Sequence, residues 1–176
     1  MPLAPRSFAA IAAAAVLAAP LSLSAQGEAQ PASAAFDKLK ALAGDWIDLD
    51  GAFGMKGKVA VTYRVTGGGS TVVETLFVGT PHEMTTVYHK DGRHVVLTHY
   101  CSAGNQPRMR ATTTDGSALA FDFDGGTNLD PAKDGHMHSG TIEFLDADRI
   151  RATWIGWDKG KPSDHSPVFN LERKKG

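Results

Sequence analysis

The sequence predicts an all-β domain: a closed, up-and-down antiparallel β-barrel of about ten strands with a short N-terminal helix. Three observations predict it. From Gly44 onward, apolar and polar residues alternate with period two, the pattern of strands buried on one face. Short turn sequences, Gly67-Gly68-Gly69, Asp91-Gly92, Asp115-Gly116 and Asp146-Ala147-Asp148, separate neighbouring runs as tight hairpins do. The connections between them, around residues 51–57, 79–81, 102–106, 124–135 and 158–166, are mostly longer and richer in Gly, Pro and Asn. Alternate connections of a meander lie at opposite ends, so the tight turns gather at one end and the long loops at the other. Short strands with one apolar face bury it by closing on themselves or by stacking as two sheets. The run of neighbouring hairpins favours closure, with a sandwich as the rival.

The chain opens with a predicted export signal over residues 1–25. Arg6 supplies a positive n-region, Phe8 to Ala19 an apolar stretch, and small residues lead to a cleavage site after Ala25. The apolar stretch is short for a membrane helix, although an uncleaved anchor is the alternative reading. The expected location is the periplasm or the exterior, with no membrane attachment after cleavage. Residues 26–35 read as a flexible leader, and residues 36–176 as one barrel domain. Phe36, Leu39 and Leu42 recur on one helical face before Gly44 ends the helix. Strands are predicted at 45–50, 57–66, 70–78, 82–89, 93–101, 107–114, 117–124, 137–145, 149–157 and 167–173.

The formal net charge is −1, which gives no electrostatic case for nucleic acid or an anionic membrane as partner. Cys101 is the only cysteine, so no intrachain disulfide forms. No phosphate loop, dinucleotide fingerprint, nucleophile elbow or His-Glu-x-x-His helix is present.

The helix leading into Gly44-Asp45-Trp46 resembles the Gly-x-Trp opening of the lipocalin and calycin barrels. Arg173, in the last predicted strand, is placed similarly to the basic residue that crosses that tryptophan in lipocalins. The pattern is also similar to lipocalin-like domains of uncharacterised exported bacterial proteins and to ten-stranded barrels such as the nitrobindins. A typical lipocalin has eight strands and often disulfides, and this chain departs on both counts. The resemblance implies a barrel that binds a small molecule. Its nitrobindin branch implies haem held through one histidine.

Candidate site residues gather at the long-loop end. His99 and Cys101 share a strand face with Val95 and Leu97, and His136 and His138 share one with Ile142 and Phe144. Those apolar residues belong in the core, so the polar ones are expected to point inward, with His82 and His165 nearby. Two facing pairs, His99/Cys101 and His136/His138, would offer a transition metal imidazole and thiolate ligands. The competing readings are a polar pocket wall and plain structural hydrogen bonding. Asn105 and Gln106 are expected at the rim. Arg108 and Arg110 turn outward if Met109 and Ala111 point in, unless a bulge at Pro107 reverses them. Glu74 is a buried carboxylate if Val72 and Leu76 face the lumen, and solvated if Val73 and Phe77 do. Trp154 and Trp157 fall on opposite faces, one of them interior.

These readings converge on an exported barrel binding a small-molecule ligand through His99, Cys101, Asn105, Gln106, Arg108, His136, His138 and Glu74. The alternatives are an enzyme using mouth histidines as general base or metal ligands, a haem-binding barrel, and a structural domain packed shut.

Overall fold

The computed structural model describes residues 31–51, 54–113, 116–164 and 166–176. The expected export signal, the first half of the leader, Asp115 and His165 lie outside the described residues. Helix α1 (Pro31–Ala41) precedes β1 (Gly44–Asp48), β2 (Val59–Thr66), β3 (Thr71–Leu76), β4 (Met84–Asp91), β5 (His94–Tyr100), β6 (Gln106–Thr113), β7 (Ala118–Thr127), β8 (His136–Phe144), β9 (Arg149–Asp158), β10 (Lys161–Pro162) and β11 (Val168–Arg173). Strands β1 to β9 pair in chain order, β9 also pairs with β11, and β11 pairs with β1. Every one of these pairings is antiparallel. The result is a closed, ten-stranded, up-and-down barrel, as the alternation and turn spacing predict. The two-residue β10 pairs with the end of β9, inside what the sequence reads as one long loop.

The helix starts at Pro31, five residues before the expected Phe36, so the second half of the predicted leader is helical. Ala32 and Ala35 are buried with Phe36, Leu39 and Leu42, which extends the apolar stripe back by one turn. Alanine is a strong helix former and small enough to pack against the barrel.

Helix α1 closes the tight-turn end. Lys38 lies over the Phe144 ring at 5.0 Å, and Lys90 donates to the Ser33 hydroxyl at 3.4 Å. The Trp46 indole donates to the Leu42 carbonyl at 2.8 Å, tying β1 to the helix end. The Arg173 guanidinium covers the Trp46 ring at 4.5 Å and donates to the carbonyls of Ala41 and Ala43. One arginine therefore satisfies helix-end carbonyls and shields a buried indole at the barrel seam.

The core fills the lumen from this floor upward, with Trp46, Leu97, Met109, Phe121 and Ile142 fully enclosed. Across β8 and β9, Gly140 is the partner of Trp154. A Cβ on Gly140 would stand 2.2 Å from the Trp154 ring, so the missing side chain is the space the indole occupies. Gly140→Ala should destabilise the fold by about 1–3 kcal/mol through overpacking. Urea denaturation measures it, and an unchanged midpoint would show that Trp154 does not need that space.

Candidate ligand-binding site

Four inward side chains from four consecutive strands form one polar row at mid-barrel. Tyr63 on β2 is the cross-strand partner of Glu74 on β3, Glu74 of Thr86 on β4, and Thr86 of His99 on β5. Glu74 lies inside because Val72 and Leu76 do, which decides the open choice of face. The Tyr63 hydroxyl donates to one oxygen of Glu74 at 2.7 Å, and the Tyr88 hydroxyl to the other at 2.8 Å. The Thr86 hydroxyl lies 2.9 Å from His99 Nδ1. Burial raises the Glu74 carboxyl pKa above its ordinary value, and the neighbouring hydroxyl groups offset only part of that rise. Burial, followed by the adjacent carboxylate, raises both tyrosine hydroxyls well above their usual range, so they remain donors.

His99 ends the row. It is 6% exposed, and burial lowers its pKa to about 4, so the ring is neutral at ordinary pH. Its Nε2 is buried without a hydrogen-bond partner. The Trp154 Nε1 is buried without a partner as well. Both side chains line the same small cavity of about 40 Å³, whose remaining wall is Thr86 and the apolar Leu76, Phe77, Met84, Met137, Pro167 and Phe169. That space is sufficient for one or two water-sized groups.

Above the cavity, at the long-loop end, a basin of about 550 Å³ opens to solvent. Phe77, Met84, Met137 and Pro167 line both spaces and form the partition between them. Two of these four are methionines, flexible enough to move aside. Phe77 has φ of 55°, a left-handed backbone that costs a bulky residue on the order of 1 kcal/mol. His82, Cys101, His136 and Trp157 line the basin further out.

No family model matches the chain, and no curated protein does. The chemistry must be read from the side chains.

The expected two pairs do not converge. Among the described residues, no three His, Cys, Asp or Glu side chains are grouped to hold a metal ion. His99 is deep in the lumen, whereas Cys101 lines the basin and accepts from the Ala103 amide at 3.5 Å. His136 lies 2.8 Å from the Asp134 carbonyl through Nδ1 and 3.0 Å from His138 Nδ1 through Nε2, so both its ring nitrogens are engaged. His138 lines neither space. Its ring is stacked between Trp157 at 3.8 Å and Phe123 at 4.8 Å. The cause is a register shift between Met137 and Ser139, which pairs Met137 with Gly156 and places Met137 in the partition. A transition metal held by His99, Cys101, His136 and His138 does not fit this arrangement. Nor does a haem held by His99, because a macrocycle cannot enter the small cavity beside it.

The rim residues tie loops together. Asn105 is buried and donates to the Gly135 carbonyl at 2.8 Å, while Gln106 accepts from Thr127 and Asn128 and donates to Gly104. Arg108 is exposed and lines neither space. Arg110 pairs with Asp124 at 3.0 Å on the outer face. A bulge does occur at Pro107, but β7 carries the extra residue, since Pro107 pairs with Gly126 and Met109 with Phe123. Strand β6 keeps its alternation from Pro107 to Ala111, and both arginines stay outside. The sequence reading missed Thr86, Met84, Met137 and Phe77. For Thr86 a signal existed, because it shares the inward parity of Tyr88.

The His99 shift has a consequence for stability. The unfolded imidazole titrates near 6.5 and the folded one at about 4, so the unfolded chain binds more protons between these values. The site's contribution is full above pH 6.5 and is lost as pH falls toward 4, by about 3 kcal/mol. Glu74, with a raised pKa, acts in the opposite sense, losing stability as pH rises above its unfolded value near 4.5. Urea denaturation of the native chain and His99→Gln at pH 7 and pH 4.5 separates the two. The native chain should lose about 2–3 kcal/mol more than the variant on acidification, and parallel losses would contradict it.

Proposed function

We propose that this chain is a small-ligand-binding barrel of lipocalin-like type, exported to the periplasm or beyond. Its ligand places an apolar body in the basin and a polar head in the small cavity against His99 and Trp154. One observation carries the reading: His99 and Trp154, each with a buried polar atom that lacks a hydrogen-bond partner, line one small and mostly apolar cavity. Leaving buried polar atoms unpaired costs about 1–3 kcal/mol each, which a suitable ligand group would recover. The basin volume is that of ordinary small-molecule pockets, and the two methionines supply an entry. Export rests on the charged and apolar pattern of residues 1–25.

Binding is favoured over general-base catalysis. A base works best with a pKa near the operating pH. An imidazole titrating at about 4 is a weak proton acceptor at neutral pH, though still a good hydrogen-bond acceptor.

The test uses N-phenyl-1-naphthylamine, an uncharged apolar fluorophore. Its emission should rise and shift to the blue on titration with the chain, saturating at one equivalent. Met137→Phe, which fills the passage, should weaken the probe at least tenfold, whereas Ile155→Ala on the outer face should leave it unchanged. An equal response from all three proteins, or none from the native chain, would refute binding through the mouth.

A further inference from the structure

We propose that the buried head of the ligand is an uncharged oxygen group, a hydroxyl or a ketone, and that the barrel discriminates against hydrocarbons and fatty-acid anions of the same length. The inference rests on the binding reading above and adds the chemical class of the ligand. It holds whichever nitrogen of His99 carries the ring proton.

Trp154 lines the small cavity, and its Nε1 is buried without a partner. An indole N–H donates and never accepts, so the group that satisfies it must bring a lone pair. The ring is held in place, since its Cδ2, Cε3 and Cζ3 atoms fill the space that a Cβ on Gly140 would take. His99 adds a second demand. Its Nδ1 lies 2.9 Å from the Thr86 hydroxyl, which can donate or accept, and its buried Nε2 has no partner. If Nε2 carries the proton it donates to a hydroxyl or ketone oxygen, and if not it accepts from a hydroxyl. A hydroxyl therefore serves both side chains in either case, and a ketone serves Trp154 in either case. A methyl group serves neither.

Charge excludes the anions. Among the described residues, no Lys or Arg lines the cavity or the basin. His99, titrating at about 4, is neutral at pH 8. Glu74 gives an anion nothing, because ionised it repels one and protonated it supplies no positive charge. A carboxylate in the cavity would be a buried charge without a counter-ion, far costlier than an unpaired dipole. Turned to the rim, the same molecule would set its methyl end against Trp154 and His99 and forgo both hydrogen bonds.

Displacement of N-phenyl-1-naphthylamine at pH 8 tests this with octan-2-ol, octan-2-one, the hydrocarbon isostere 2-methyloctane, and octanoate. Trp154→Phe keeps an aromatic ring and removes the N–H. It should weaken octan-2-ol and octan-2-one at least about fivefold and change 2-methyloctane by less than about twofold. Octanoate should bind the native chain at least about tenfold more weakly than octan-2-ol. In the native chain, the Trp154 indole N–H resonance should move downfield on saturation with octan-2-ol and not with 2-methyloctane, a readout that needs no variant. Equal weakening of all three neutral compounds, an unmoved indole resonance, or octanoate bound as tightly as octan-2-ol overturns the inference and leaves the binding reading standing. Binding of none of the four overturns both.

Discussion

A carboxyl group at the centre of a β-barrel is the constraint to which the interior answers. Transferring an ionised carboxylate into an apolar core unpaired costs far more than a domain's net stability. Glu74 is 1% exposed, and its hydrogen-bond partners are the hydroxyls of Tyr63 and Tyr88 from the two neighbouring strands. Those strands can present their hydroxyls to Glu74 only in the register observed, because a one-residue slip would turn Tyr63 or Tyr88 to the outside. The row therefore fixes strand register as well as charge. It ends at His99, where hydrogen bonding within the protein runs out beside a cavity.

The two ends of the barrel divide structure from chemistry. At the floor, α1, Trp46 and Arg173 satisfy one another, and the side chains between the strands are apolar and close-packed. At the mouth, irregularities accumulate. β8 shifts register beside Met137, β7 carries an extra residue opposite Pro107, and Phe77 adopts a left-handed backbone. Bulges of this kind re-aim side chains at barrel rims. Here they give the partition its methionine and place His138 between two aromatic rings.

The fold was legible in the sequence because its signals are repetitive. Many short alternating runs and tight turns agree with one another, and a single misread strand would not change the class. The site was legible only where strands are regular. In β5 the alternation from Val95 through Leu97 continues unbroken to His99, and the ring lies on the same face. In β8 the same counting from Ile142 fails at the register shift, which no residue between Met137 and Ser139 announces. Glu74 illustrates a different limit. Both faces of β3 are nearly equally apolar in sequence, and only the pairing with Tyr63 and Thr86 separates them. The start of α1 was missed because alanines add little to a hydrophobic pattern until a barrel is packed against them.

The most direct test of the account is a crystal structure of the chain grown with octan-2-ol. The account predicts ordered ligand density in the small cavity, with its oxygen within about 3.2 Å of both His99 Nε2 and Trp154 Nε1 and its alkyl chain passing between Met84 and Met137. A cavity closed by side chains, with His99 Nε2 bonded to another protein group and the alcohol absent, would contradict it.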